Sequence, residues 1–196
     1  MKNFAFIAAI AVAGVANAQV FNDLTAFNTA LSDSGQFVNN LNGFANGPSI
    51  PVSFSGGTPT MSYGFSADGG LYTNGDFVGV NIGNRALVIT FTSGNVRAFG
   101  GNLYSTDISD VFQAGITINV AYSDGFTDSY VVGSTSEFRG YVSNTVLTSA
   151  TITAAGAPAS RFVSVDNLRT SAVPEPASMT ALALGLAAIA RRRKNA

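Results

Sequence analysis

Short segments in which apolar and polar side chains alternate recur along most of the 196 residues, and they constrain the fold more than any other feature. In the segment Gly115–Tyr122 every second side chain is apolar, as in a strand with one buried face. Gly, Asn, Asp and Ser separate the segments, and Ser123-Asp124-Gly125 is typical of a hairpin turn because Asp-Gly tolerates positive φ. The pattern indicates strands joined by turns.

These segments predict an all-β fold, a β-sandwich or a barrel. One short helix is expected within residues 19–31, where Asn22 or Asp23 can cap it and apolar residues recur at spacings of three and four. Residues 43–75, rich in Gly, Ser, Pro and Asn, are expected to form long loops around weaker strands. The predicted strands are Pro51–Phe54, Met61–Phe65, Phe77–Ile82, Ala86–Thr92, Val96–Gly100, Gly115–Tyr122, Phe126–Val132, Phe138–Val142, Val146–Thr153 and Arg161–Leu168.

Three residue types are absent from the sequence: His, Cys and Trp. Without His, Ser-His-Asp and Cys-His catalytic arrangements cannot form, and without His or Cys the usual ligands of zinc, haem and iron–sulfur clusters are missing. Because no disulfide can stabilise the fold, the chain needs an apolar core, for which about 150 residues suffice. Carboxylate chemistry and binding of Ca²⁺ by oxygen ligands remain open.

The formal net charge of −1 conceals an uneven distribution of charge. Residues 19–172 contain ten acidic and five basic side chains, whereas four of the ten basic residues lie in the last six positions. Nucleic-acid binding depends on clustered Lys and Arg that neutralise phosphates. The acidic body therefore excludes a nucleic acid as partner.

The first 18 residues have the order of features typical of a secretory signal peptide. Lys2 is followed by the apolar run Phe4–Val15, and then by the small-x-small cleavage site Ala16-Asn17-Ala18. A buried N-terminal helix is the alternative, but it would not require these features in this order. We expect signal peptidase to cleave after Ala18, which makes Gln19 the first residue of the exported protein.

Residues 173–196 contain a second apolar segment, between two prolines and a basic cluster. Pro174-Glu175-Pro176 does not allow a helix to run through it, whereas Ala177–Ala190 is uncharged and rich in Ala and Leu, which favour a helix. Such a helix rises about 21 Å, less than the ~30 Å hydrocarbon core, but Arg side chains can snorkel and a bilayer can thin locally. The basic cluster would stay in the cytoplasm and the body outside. Its members are Arg191, Arg192, Arg193 and Lys194.

This order of features resembles the PEP-CTERM sorting signal of Gram-negative bacteria. The resemblance implies that an exosortase, an integral membrane enzyme, recognises Pro174, Glu175 and Pro176 and processes the tail. It also implies that the Arg cluster stops transfer, so that the chain is transiently anchored in the inner membrane. An ordinary tail anchor is the alternative, and it would also place the body on the outer side of a membrane.

The body carries a second resemblance. The segments VRAFGGNLY, ITINVAYSDGFTDSY, STSEFRGYVSNTVLTSATIT and FVSVDNL, in this order within residues 96–168, resemble the ectodomain common in PEP-CTERM proteins. That ectodomain is similar in layout to jelly-roll carbohydrate-binding modules. The resemblance implies a jelly-roll body over residues 19–172, displayed at the cell surface or in the extracellular matrix and without catalytic activity. The alternative is a lectin-like module, dependent on calcium, that binds an exopolysaccharide.

Asp166 is the most informative acidic residue. Alternation within Arg161–Leu168 places it on one face with Phe162 and Leu168, and a buried acid must be paired, hydrogen-bonded or bound to a metal. In similar jelly-roll modules an Asp of the last strand binds a structural Ca²⁺, so the resemblance makes Asp166 a candidate calcium ligand. The alternatives are an ion pair with a nearby Arg and hydrogen bonds from backbone amides at a strand end. No other cofactor is expected.

The remaining acidic residues predict turns rather than chemistry. None of them has the spacing of an EF-hand loop, and Asp side chains in Gly/Ser/Asn loops bind their own backbone. A glycosidase needs two carboxylates on facing elements, and only Asp166 and Glu137 fall near predicted strands, so we expect no enzyme. The pairs expected in turns are Asp107 with Asp110, Asp124 with Asp128, and Asp68 with Asp76.

Aromatic residues and paired glycines complete the candidates. Tyrosines can form the flat surfaces on which sugars stack, but Tyr at alternating positions is more typical of core and edge packing. Gly69-Gly70 and Gly100-Gly101 open no helix with a following Lys, so they predict tight turns or close packing between sheets rather than phosphate binding. The candidate tyrosines are Tyr63, Tyr72, Tyr104 and Tyr141.

Overall fold

A computed structural model describes residues 18–31, 35–47, 53–156 and 160–172. In these ranges the backbone forms thirteen strands and one helix. The helix is α1 (Leu24–Leu31), and the strands are β1 (Gln19–Phe21), β2 (Gln36–Asn39), β3 (Ser53–Gly56), β4 (Met61–Ala67), β5 (Leu71–Thr73), β6 (Val78–Val80), β7 (Leu87–Phe91), β8 (Ala98–Thr106), β9 (Thr117–Tyr122), β10 (Thr127–Val131), β11 (Phe138–Val142), β12 (Ser149–Ala155) and β13 (Phe162–Ser171).

The strands pair antiparallel in two sheets. Sheet A has the order β1-β11-β8-β13-β6-β5, with β2 also paired to β13, and sheet B has the order β10-β9-β12-β7-β4-β3. Buried side chains of both sheets, such as Phe99 and Leu103 of sheet A and Ile89 and Val120 of sheet B, belong to one apolar cluster. The predicted all-β sandwich is therefore confirmed, and two packed antiparallel sheets are consistent with a jelly roll. The predicted signal peptide and C-terminal helix lie outside the described residues.

Alternation sets the buried face of most strands. In β9, Ile118, Val120 and Tyr122 are buried, whereas the side chains between them are at least partly exposed. The strands β1, β2 and β5 were not predicted, because three or four residues are too few to display a period of two. Strand β4 contains the predicted strand Met61–Phe65, and its residues Met61 and Tyr63 have no exposed surface.

The single helix of the described ranges begins where its cap predicts. The backbone amide of Ala26 donates to Oδ1 of Asp23 at 2.7 Å, an interaction worth about 1 kcal/mol at a helix N-terminus. Phe27 and Leu31 are fully buried against the outer side of sheet A, and the Phe27 ring lies 5.2 Å from that of Phe138. The helix is shorter than the predicted stretch because residues 19–21 form β1, whose backbone pairs with β11.

Strand β13 contains a β-bulge that alternation alone could not predict. Asp166 pairs with Asn102 of β8, but Arg169 pairs with Gly100, so β13 has one residue more than β8 between these two pairs. The bulge reverses the faces of the residues that follow it. Leu168 is fully buried in the core between the sheets, and the prediction that it shares a face with Asp166 is wrong.

A glycine makes the bulge sterically possible. A Cβ atom on Gly101 would lie 3.0 Å from the carbonyl oxygen of Asp166, closer than almost all real Cβ contacts. Asn167 adopts a φ of 51°, in the left-handed region that Asn tolerates better than most residues. The close packing predicted for Gly100-Gly101 lies within sheet A, against β11 and β13, and not between the sheets as expected. The tight turn predicted for Gly69-Gly70 is confirmed by their φ values of 85° and 92°.

Candidate functional site

A cleft of about 610 Å³ opens on the outer side of sheet A. Its volume is within the usual range of ligand pockets, about 300–1,000 Å³. Strand β8 supplies part of the floor: Phe99 and Leu103 point into the core between the sheets, so Asn102, Tyr104 and Thr106 point to the opposite side and line the cleft. Loop residues line the cleft around this floor: Asn74, Asp76, Phe77, Asp110, Phe112, Thr135 and Ser136.

The floor of the cleft carries hydroxyl groups without partners. Tyr104 is 6% exposed and Thr106 is 2% exposed, and neither side-chain hydroxyl makes a hydrogen bond to any residue that the structure describes. Phe77 and Phe112 pack edge-on against the Tyr104 ring, with centroids at 6.0 and 6.3 Å, and so hold that ring in place. Neither hydroxyl oxygen is among the fully buried side-chain atoms that lack a partner, so both reach the cleft and can donate to and accept from a bound molecule.

The bulge of β13 arranges three polar side chains beside these hydroxyls. Nδ2 of Asn167 donates to Oδ2 of Asp166 at 2.8 Å and to Oδ1 of Asn102 at 2.9 Å, and the backbone N–H of Asn167 donates to Oδ1 of Asp166 at 2.6 Å. Nδ2 of Asn102 donates to the carbonyl oxygen of Glu137 at 3.1 Å. Asn167 therefore holds the Asp166 carboxylate at a fixed position in the cleft, and Asn102 in turn holds the Asn167 side chain.

Three carboxylates give the cleft a negative potential. Asp76, Asp110 and Asp166 line it, together with the single basic side chain of Arg169. The pKa of Asp166 is raised, mainly because the carboxylate is partly buried and also because Asp76 lies near, although the Asn167 backbone bond opposes the shift. The pKa of Tyr104 is raised above its usual value by burial and then by these three carboxylates.

Calcium binding at Asp166 stays a prediction. Calcium takes six to eight oxygen ligands, usually including several carboxylates. The described ranges contain no group of three acidic side chains that could hold a metal. Both carboxylate oxygens of Asp166 accept hydrogen bonds from Asn167. Of the alternatives for Asp166, the structure shows bonds from a backbone amide and a neighbouring side-chain amide, at a bulge rather than at a strand end.

The other predicted acidic residues have different roles. Oδ1 of Asp107 accepts the backbone N–H groups of Ser109 and Val111 at 2.8 and 3.0 Å, so the predicted turn chemistry is confirmed there. The prediction is wrong for Asp128, which lies in β10, is buried, and forms a two-bond ion pair with Arg139 of sheet A. Asp68 forms an exposed ion pair with Arg85 at 3.3 Å.

Asp124 stabilises its own hairpin turn and also binds two side chains that are distant in sequence. Its Oδ1 accepts the backbone N–H of Phe126 at 3.0 Å, as predicted for the hairpin. Its Oδ2 accepts the hydroxyls of Tyr141 at 2.7 Å and Ser143 at 2.6 Å. Burial would raise the pKa of Asp124, but these hydrogen bonds to the ionised form outweigh burial, and the pKa is lowered.

The candidate tyrosines do not form an exposed platform. Tyr63 and Tyr141 are at most 1% exposed, so for them the packing alternative is confirmed. Tyr72 donates its hydroxyl to Oδ2 of Asp110 at 2.8 Å, and only Tyr104 contributes to the large cleft. The predicted strand Val96–Gly100 ends before Asn102, Tyr104 and Thr106, so the cleft floor was not predicted from the sequence. Polar side chains at every second position of the segment NLYST were the available signal.

The sequence-predicted sorting and cleavage residues are only partly within the structure. Gln19 begins β1 and pairs with Val142 of β11. Ala16 and the C-terminal motif and basic cluster (Pro174 to Pro176, Arg191 to Lys194) lie outside the described residues. Among the helices that the structure does describe, none is long and apolar enough to span a membrane.

Comparison with known families identifies the C-terminal segment. Residues 172–194 match the PEP-CTERM protein-sorting motif. No curated protein and no solved structure significantly matches the chain. The motif indicates export, followed by exosortase-dependent sorting and processing at the membrane. The chain is therefore a PEP-CTERM motif-containing protein.

Proposed function

We propose that this protein has no catalytic activity of its own and that, after exosortase processing, its body functions at the cell surface or in the extracellular matrix of a Gram-negative bacterium. The sorting motif at residues 172–194 is the observation that carries the proposal. The composition supports a non-catalytic role, since a chain without His or Cys lacks the commonest general base and the commonest thiol nucleophile.

The proposed sequence of events begins at the two ends of the chain. Signal peptidase cleaves between Ala18 and Gln19, the segment Ala177–Ala190 halts in the inner membrane, and exosortase then cuts near Pro174-Glu175-Pro176. Mass spectrometry of the protein recovered from the cell surface tests this order, because it determines both ends at once. A mature chain that still contains the basic cluster would contradict processing.

Deletion of residues 173–196 tests whether the C-terminal tail directs the protein to the cell surface. We expect the truncated protein to be secreted without passing through the membrane-anchored stage and to lose its surface location. The matched variant carries Pro174→Ala and Pro176→Ala and retains the apolar segment and the basic cluster. It should accumulate uncleaved in the inner membrane. If the truncated protein reaches the surface in the same amount as the unaltered protein, the tail does not direct sorting.

A second candidate function is carbohydrate binding by the body, and the cleft on sheet A is the observation that favours it. The cleft is lined by carboxylates, amides and hydroxyls together with apolar side chains such as Phe77 and Phe112. These are the groups that bind a molecule rich in hydroxyls. A glycan array probed with the mature exported protein tests this function, with and without a calcium chelator. A hit that the chelator abolishes supports the lectin-like alternative in its calcium-dependent form, and an array without hits removes it.

A further inference from the structure

We infer that the cleft on sheet A selects saccharides that carry a free amine over neutral and acidic saccharides. This inference rests on the proposed carbohydrate binding and specifies its ligand class.

The cleft floor has unused hydrogen-bonding capacity. The hydroxyls of Tyr104 and Thr106 belong to side chains that are more than nine-tenths buried, and no residue of the described ranges satisfies them. A phenol and an aliphatic hydroxyl each donate one bond and accept others, as sugar hydroxyls do. The floor is therefore suited to a ligand that can donate and accept at neighbouring atoms.

Carboxylate acceptors surround that floor. A carboxylate has about four lone-pair sites, and hydrogen bonds from Asn167 use only part of the capacity of Asp166. The Asp110 carboxylate accepts one bond from Tyr72 and keeps a second oxygen available. Ionised carboxylates accept but do not donate, so the best ligand brings donors, and an ammonium group brings three.

The charges of the cleft lining favour a cationic ligand. Asp76, Asp110 and Asp166 outnumber Arg169 in the cleft lining, so a bound anion would meet net repulsion. Asp76 contributes to the raised pKa of Asp166, and both raise the pKa of Tyr104. A ligand with a positive charge relieves this mutual repulsion, a neutral sugar does not, and a uronic acid increases it.

The experiment is a calorimetric titration of the mature exported protein with four β-1,4-linked tetrasaccharides, of glucosamine, N-acetylglucosamine, glucose and glucuronic acid. We expect the glucosamine tetramer to bind about tenfold more tightly than the glucose tetramer at low salt. The two partly buried carboxylates, Asp110 and Asp166, each contribute roughly threefold to this difference. The advantage should shrink at high salt because the charges are screened.

Two variants and one control locate the effect. Asp166→Asn should reduce the preference for the amine from about tenfold to about threefold while glucose-tetramer binding persists. Tyr104→Phe should weaken binding of both tetramers. Asp68→Asn removes the same charge from an exposed pair outside the cleft lining and should leave the preference unchanged. Circular dichroism spectra verify that each variant is folded.

The outcomes separate this inference from the proposal on which it rests. Equal binding of the glucosamine, acetylated and glucose tetramers would overturn amine selection and leave carbohydrate binding intact. Tightest binding of the glucuronic acid tetramer would also overturn amine selection. Absence of binding by all four at millimolar concentration would overturn both, and would leave exosortase-dependent sorting unaffected.

Discussion

The buried ion pair between Asp128 and Arg139 links the two sheets, and breaking it should strongly destabilise the protein. Nε and one Nη of Arg139 donate to the two carboxylate oxygens of Asp128 at 2.5 and 2.6 Å. The side chains are 18% exposed for Arg139 and 8% exposed for Asp128. The guanidinium also lies 4.6 Å from the centre of the Tyr130 ring. Asp128 belongs to sheet B and Arg139 to sheet A.

The size of the effect follows from the burial of the two charges. Removing one partner of a buried pair costs about 3–5 kcal/mol, because the remaining charge is left without compensation. Arg139→Met should lie in this range, since the Asp128 carboxylate has little access to water. Asp128→Leu should cost less, because the longer Arg139 side chain is already partly exposed and can extend toward solvent. The double variant should be less destabilised than Arg139→Met, since it leaves no unpaired charge.

Thermal unfolding followed by circular dichroism measures these differences. For a chain of this length, a loss of 3–5 kcal/mol lowers the Tm by roughly 6–20 °C. The control is Arg85→Met, which breaks the exposed pair with Asp68, whose side chains are 52% and 78% exposed, and should cost less than about 1 kcal/mol. If Arg139→Met lowers the Tm no more than Arg85→Met, the argument from burial is wrong.

Three further predictions concern packing, pH and calcium. Gly100→Ala would place a Cβ 2.7 Å from a ring carbon of the adjacent strand and should cost about 1–3 kcal/mol, whereas Gly133→Ala, whose nearest contact would be an ordinary 3.4 Å, should change the Tm little. The lowered pKa of Asp124 means that its contribution to stability is complete above about pH 4 and is lost as the pH falls through the folded-state pKa. Asp124→Asn should therefore show a weaker loss of Tm on acidification than the unaltered protein, and an identical acid profile would contradict this assignment. Calcium binding at Asp166 predicts that a chelator lowers the Tm, and an unchanged midpoint would eliminate the calcium hypothesis.

The sequence by itself determined the fold class and the sorting signal, because both depend on local order along the chain. A period of two assigns the faces of a strand wherever the pairing is regular, as in β9. The order of prolines, apolar residues and arginines near the C-terminus was sufficient to identify the sorting motif before any comparison. The helix cap at Asp23 was also predictable from the sequence, because the backbone amide that it accepts, that of Ala26, is only three residues away.

Only the tertiary structure determined the cleft and the ion pair between the sheets. The bulge at Asp166 depends on a glycine of another strand, Gly101, whose missing side chain allows the close approach. Asp128 was grouped with Asp124 of the turn although it also falls within the predicted strand Phe126–Val132, and neither pattern identifies its partner Arg139, which comes from the opposite sheet. Periodicity specifies which way a side chain points. It does not specify which distant residue meets that side chain, since strand pairing and sheet packing bring together residues far apart in sequence.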